Sequence, residues 1–211
     1  MKTDAFIQAL VQDLTTPVVP VAASLKRVMP LAAVSTAIAF LVSAGLRPDL
    51  LASGLKPTAI KVGLGLLLAV GGLLAAVRLA RPDAAIARSA PLLLLGPAFA
   101  LMAVAAELVT GGAGTWQSRL WGHSFLVCLM VLPLLAALPL IAALYALRHG
   151  ASTHLEAVGA VAGLGAAGIA IVTYGLFCNE DSALFIATWY LLATCIVCLI
   201  GAVAGRVVLR W

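Results

Sequence analysis

Residues 157–182 read AVGAVAGLGAAGIAIVTYGLFCNEDS. The first 21 carry no charge, and the run then stops at Cys178, an amide, two acids and a serine. Inside it, GLGAAG at 163–168 matches the G-x-G-x-x-G pattern of dinucleotide-binding turns. That pattern needs a strand before it and a helix opening at the glycines. Here the glycines lie within an apolar segment of about 20 residues, the length that crosses the hydrocarbon of a bilayer as a helix. The stretch therefore reads as a membrane span whose small residues let neighbouring helices approach closely. The pentapeptide GAVAG occurs at 159–163 and again at 201–205, each a G-x-x-x-G, which predicts tight packing of two spans against each other.

The rest of the chain agrees. Of 211 residues, 64% are hydrophobic and 10% charged, and the mean hydropathy is +1.14. Water-soluble domains carry about 25% charged residues, so a soluble globule is excluded. The net charge of +5 comes from Lys and Arg scattered singly between apolar runs, a pattern of topology determinants rather than of a nucleic-acid surface. MKTDAFIQALVQDL is interrupted by acids and amides, so it does not read as a signal peptide and the first span is expected to stay uncleaved.

Six segments reach spanning length: about 28–46, 60–80, 90–109, 124–147, 157–177 and 183–205. Nine basic residues collect on one side (Lys2, Lys26, Arg27, Arg78, Arg81, Arg88, Arg148, Arg206 and Arg210) and four on the other (Arg47, Lys56, Lys61 and Arg119). The positive-inside rule places the nine in the cytoplasm. The expected fold is all-α: a polytopic membrane bundle of six transmembrane helices with both termini cytoplasmic. It comprises a segment 1–26 and a transmembrane domain 27–211. Trp116, Trp121 and Trp189 fall near the outer interface, Trp211 near the inner one, and the CNEDS loop faces out. Pro91, Pro97, Pro133 and Pro139 lie in spans three and four, where a bundle tolerates kinks.

Before the first span, Phe6, Ile7, Leu10, Val11 and Leu14 fall on one face of a helix that Pro17 ends. The opposite face carries Asp4, Gln8, Gln12 and Asp13, whereas a helix lying on anionic lipid favours Lys and Arg there. Two readings remain for this segment: packing on the bundle, or insertion into a groove of a cytoplasmic protein.

The four cysteines separate by depth. Cys195 and Cys198 form C-x-x-C, but lie 12 and 15 residues after Ala183, about 18 and 22 Å into the membrane, where thiols act as small hydrophobes. Cys128, one turn into span four, and Cys178, at the end of span five, lie at similar depth on the outer side. Four readings compete for this pair: unrelated buried thiols, a structural disulfide, a redox or soft-metal sensor, and a transport site. His123 does not share a helical face with Cys128 unless the helix starts after it. Glu180 and Asp181 are hard donors, ill matched to the soft metals that thiolates take. Glu107 is the one acid considered for a mid-membrane role, and its place near the outer end of span three reads as interfacial. His149, Ser152, His154 and Glu156 share a short polar loop and read as solvated residues rather than a catalytic set, so no enzyme is expected.

At this point a resemblance enters. The chain resembles the NrsF family, negative regulators of sigma F, over nearly its whole length. The likeness is carried by LVQDLTTPVVP, by Cys128 followed by LPLLAALPLIAALYALRHGAS, by EAVGAVAGLGAAGIAIVTYGLFCNEDSALFIATWY, and by GRVVLRW. The resemblance implies a bacterial inner-membrane, non-enzymatic anti-sigma factor. Its N-terminal cytoplasmic segment would hold an extracytoplasmic-function sigma factor, with Phe6, Ile7, Leu10, Val11, Leu14 and Pro17 as contacts. It further implies that Cys128 and Cys178 sense heavy metal or oxidative stress from the periplasmic side. No permanent cofactor is implied, only a transient soft metal ion at these two cysteines; the lipid bilayer is a partner and nucleic acid is not. The competing reading is a small-molecule or metal-ion transporter.

Overall fold

Pro20, extended at φ −64° and ψ 132°, starts the first long helix, α1 (Val21–Ala44). The structure is a computed structural model that describes residues 3, 7–8, 20–45, 55–82, 86–110 and 115–210. After α1 come α2 (Leu55–Leu79), α3 (Ala90–Thr110), a short α4 (Trp116–Trp121), α5 (Phe125–Leu147), α6 (Leu155–Gly175) and α7 (Ala183–Val208). A 3-10 turn, Ile86–Ser89, leads into α3, and α7 contains a π-helical turn, Ile186–Tyr190. No strand occurs among the described residues. Six helical segments are long and apolar enough to cross a membrane, α4 running on into α5 as one of them.

Two boundaries differ from the sequence expectation. The first helix opens at Val21 rather than near residue 28, and so includes Lys26 and Arg27. Both are exposed, and long cationic side chains can follow a helix surface while their charges stay in water, so they do not end it. The second helix opens at Leu55 and takes in Lys56, Pro57 and Lys61, because proline is tolerated in a first turn. Helices continue through Pro30, Pro97, Pro133 and Pro139, as a bundle permits.

The outward faces are apolar: Leu31, Val42, Leu101, Val109, Leu134 and Val203 are all largely exposed. A soluble chain would bury such residues, whereas hydrocarbon removes the reason to do so. Inside, α6 is the central helix, packed against α2, α5 and α7. Nearly two thirds of its buried positions are Gly or Ala, including Gly159, Ala162, Gly163, Ala166 and Ala170.

The two GAVAG repeats meet. A Cβ placed on Gly159 would overlap the Gly201 carbonyl, and one on Gly201 would overlap the Gly159 carbonyl. The α6 and α7 backbones therefore touch directly, a close approach that only glycine allows. The glycines of the GLGAAG run divide between faces: Gly163 abuts Val197 of α7, while Gly168 abuts Gly65 and Ala69 of α2. The run is a packing element on two sides. Arg206 Nη2 closes the far end of the α6–α7 pair on Glu156 Oε1, at 2.6 Å.

Candidate functional site

The ends of α1 and α6 and the starts of α2, α5 and α7 converge at one end of the bundle. Helix α6 stops at Gly175, but the chain keeps its curl: the N–H groups of Phe177 and Cys178 both donate to the Tyr174 carbonyl, at 3.0 Å. This last turn sets Cys178 on the side of Tyr174. Cys128 lies in the first turn of α5, its N–H bonded to the Ser124 carbonyl. The Cys128 sulfur is 3.2 Å from the Tyr174 hydroxyl and within hydrogen-bonding reach of Cys178. Both side chains are buried. Tyr190, brought in by the π turn of α7, stacks at 6.0 Å on Tyr174 and is fully buried. Its hydroxyl faces Cys178.

The loop that carries Cys178 is clamped by charges from other helices. Lys61, fully buried on α2, donates through Nζ to the Cys178 carbonyl at 2.7 Å and to Asp181 Oδ1 at 3.0 Å. It reaches under the loop because Gly175 leaves room: a Cβ there would sit 2.9 Å from Lys61 Cβ. Glu180 Oε1 accepts the His123 backbone N–H at 2.6 Å. From α3, the Glu107 carboxylate accepts Arg119 Nη1 at 3.2 Å, Ser182 Oγ at 3.0 Å and the backbone N–H groups of Ala183 and Leu184. It thus caps the start of α7, where the first N–H groups lack helical acceptors and the helix dipole favours an anion. Trp189 Nε1 donates to the Leu120 carbonyl at 2.8 Å, tying α4 to the same helix.

Removing a charge from water without a partner is costly, and breaking a buried pair costs about 3–5 kcal/mol. Asp181 keeps about a third of its side chain exposed, whereas Lys61 keeps none. The two halves of the pair should therefore respond unequally. Asp181→Asn strands the buried ammonium on the Cys178 carbonyl and is expected to cost about 3 kcal/mol. Lys61→Met leaves a carboxylate that water can still reach and is expected to cost about 1 kcal/mol. Thermal unfolding of the two variants in detergent checks the order.

Charge also shapes the thiols. A hydrogen bond from Cys128 draws the Cys178 thiol below its ordinary range, against the opposing effect of burial, and the Tyr190 hydroxyl, the Glu180 backbone N–H and the Lys61 charge add to the lowering. Thiolate is the form that ligates metal and attacks electrophiles. Two sulfurs within hydrogen-bonding reach match a soft, thiophilic ion, which prefers thiolate to carboxylate. Among the described residues no group of three or more His, Cys, Asp or Glu gathers as a metal cage. The acids of CNEDS are engaged elsewhere, Glu180 at His123 and Asp181 at Lys61.

The structure therefore brings Cys128 and Cys178 together and leaves the other candidates apart. Cys195 is exposed on the outer surface of α7 and Cys198 is half-buried. The His123 side chain is almost wholly exposed, and α5 begins after it, at Phe125. Glu107 is a helix cap. His154 donates its backbone N–H to Ser152 Oγ, and Glu156 is paired with Arg206. Of the N-terminal contacts, Ile7 is helical and half exposed; Phe6, Leu10, Val11, Leu14 and Pro17 lie outside the described residues. The sequence reading missed Lys61, Tyr174 and Tyr190. Lys61 was counted as a topology marker, although a lysine inside an apolar helix is itself a signal that a partner is near.

The family model described as negative regulator of sigma F, NrsF, matches residues 10–211. The chain belongs to the NrsF family. It is 33% identical over its full length, and over the full length of the relative, to the anti-sigma-F factor NrsF of Caulobacter vibrioides. It is 34% identical over 153 residues, covering 72% of this chain and 71% of the relative, to the probable anti-sigma-F factor NrsF of Azospira oryzae. No solved structure matches. An NrsF chain is a negative regulator of sigma F.

Proposed function

We propose that this chain is an inner-membrane anti-sigma factor that holds an extracytoplasmic-function sigma factor through its N-terminal cytoplasmic segment. It releases that partner when Cys128 and Cys178 meet a thiophilic metal or an oxidant on the periplasmic side. The observation that supports this reading is the meeting of two thiols, far apart in sequence, in a buried cluster with Tyr174. A transport site would instead leave ionisable groups along a path through the bundle, and Lys61 and Glu107 are both consumed in holding the outer loop.

Signal must travel from this cluster to the other end of the bundle. Phe40, one turn from the end of α1, meets the Phe177 ring edge-on at 4.6 Å and the Tyr174 ring at 6.0 Å. Tyr174 meets Cys128 through its hydroxyl, and Phe177 directly precedes Cys178 in the chain. Helix α1 packs chiefly on α5 and only lightly on α6, and a groove of about 350 Å3 runs between α1 and α5 beside Phe40. A shift of Tyr174 and Phe177 thus reaches the one helix that leads directly to residues 1–18.

The partner half of the reading is tested by copurification in detergent. The full chain is expected to bring a sigma factor with it, and a chain lacking residues 1–18 to bring none while remaining a folded bundle. Equal recovery of sigma factor with both chains would overturn the assignment of the N-terminal segment.

A further inference from the structure

The lipid-facing surface of α7 runs into a cavity at the end of the bundle opposite the thiol cluster. Leu199, Val203 and Val207 are largely exposed and recur at i, i+4 and i+8, so they share one apolar stripe along the helix. Val203 lies 20 residues after Ala183, and about 20 residues cross the hydrocarbon. Arg206, three residues further on and next along the same stripe, therefore stands where hydrocarbon gives way to headgroups. Beside it, the start of α6 and the end of α7 border a cavity of about 650 Å3, lined by Thr153, His154, Leu155, Glu156, Arg206 and Arg210. Two guanidiniums meet one carboxylate there. Arg206 Nη2 is 2.6 Å from Glu156 Oε1, with both side chains more than half exposed. Exposed pairs of this kind add little to stability, so an anion that binds guanidinium better can take the place of the carboxylate. Phosphate is such an anion, because its oxygens match the planar fork of arginine.

We propose that this cavity holds the headgroup of one anionic phospholipid, its phosphate taken by Arg206 and Arg210 and its acyl chains lying along Leu199 and Val203. Basic pockets between membrane helices on the cytoplasmic side take the headgroups of anionic lipids, and the positive-inside orientation puts this end of the bundle on that side. The apolar stripe that leads into the cations selects a lipid over free phosphate, which gains nothing from Leu199 and Val203. Glu156 opposes the lipid: the phosphate must draw Arg206 away from it, so the carboxylate holds the affinity down. The site lies at the far end of α6 from Cys178 and stands or falls independently of the sigma-factor reading.

The full chain in a neutral detergent is titrated with phosphatidylglycerol, phosphatidylcholine and glycerol phosphate, and bound molecules are counted by native mass spectrometry. One phosphatidylglycerol is expected to bind, more tightly than phosphatidylcholine, which carries the phosphate without net charge, and far more tightly than glycerol phosphate, which lacks the chains. Arg206→Gln and Arg210→Gln are each expected to weaken it about fivefold, the worth of one interfacial cation toward anionic lipid. Glu156→Gln removes the competing carboxylate and is expected to strengthen binding by a similar factor, a gain that a purely structural ion pair does not produce. Arg148→Gln is the control: it ends α5 at the same end of the bundle, but lies 3.9 Å over the Tyr145 ring and outside the lining of the cavity. It should bind as wild type does. Equal weakening in Arg148→Gln overturns the site in favour of a diffuse basic surface. Glycerol phosphate binding as tightly as the lipid overturns the lipid as occupant. Unchanged affinity in both cavity arginine variants removes the site altogether, and unchanged or weaker binding in Glu156→Gln overturns the displacement of the carboxylate.

Discussion

Replacing Cys178 by serine is expected to abolish cadmium induction of the target promoter while repression without metal stays intact. The argument is one of chemistry and geometry. Serine is nearly isosteric, so the turn that bonds residue 178 to the Tyr174 carbonyl survives, as does the Lys61 bond to the residue-178 carbonyl. What is lost is the soft donor, and a hydroxyl does not replace thiolate toward a thiophilic ion. Moving a two-state equilibrium from 1:99 to 99:1 needs about 5.5 kcal/mol of differential affinity. A single remaining sulfur forfeits the chelate that supplies it, so Cys128→Ser should be equally silent and the double variant no worse than either. Cys195→Ser and Cys198→Ser, on and near the outer surface of α7, should induce as wild type does. A promoter reporter with and without cadmium reads all five proteins. Normal induction in both single variants at 128 and 178 would remove the thiols from the sensing role.

Much of this architecture could be read before any coordinates, for a physical reason. Hydrocarbon forces every backbone polar group to be satisfied within its own helix, so length and hydropathy alone define the spans, and the GAVAG repeats mark where two of them touch. Depth along a helix follows from its rise per residue, and this separated Cys128 and Cys178 from Cys195 and Cys198. The clamp was not legible, because its members come from three different helices and a loop. Lys61, Glu107, Arg119 and Asp181 are each a lone charge in an apolar or loop context, and no spacing rule links positions 61 and 181 or 107 and 183. Tyr174 and Tyr190 were hidden for a related reason: a tyrosine near a helix end reads as an interfacial anchor until its hydroxyl is seen turned inward. The π turn, which sets the register of Tyr190, leaves no mark in the hydrophobic pattern at all.

Replacing Phe40 by alanine is expected to leave the thiols able to bind cadmium and yet to lose most of the promoter response. The helix that carries Phe40 spans 24 residues, about 36 Å at 1.5 Å per residue, so a displacement imposed near its C-terminal end is delivered at its N-terminal end, which the N-terminal segment precedes in the chain. Its contact with the residues around the thiol pair is narrow. The edge-on contact with Phe177 and the tilted contact with Tyr174 are worth about 0.5–1.5 kcal/mol each beyond buried area, and the remainder of α1 lies largely against α5 and the groove beside it. Truncation to alanine removes both contacts at once without touching a sulfur, a charge or a backbone bond. Cadmium affinity should then stay within about threefold of wild type, since a coupling contact contributes to binding only through the conformational equilibrium it biases. Ile38→Ala, at an exposed position on the same helix, is the matched control and should signal normally. Wild-type induction in Phe40→Ala would place the route elsewhere, the direct packing of α1 on α5 being the next surface to cut, whereas loss of cadmium binding would make Phe40 part of the site itself. If binding survives and response does not, the distance between the thiol pair and the N-terminal segment is bridged by one aromatic side chain near the C-terminal end of α1.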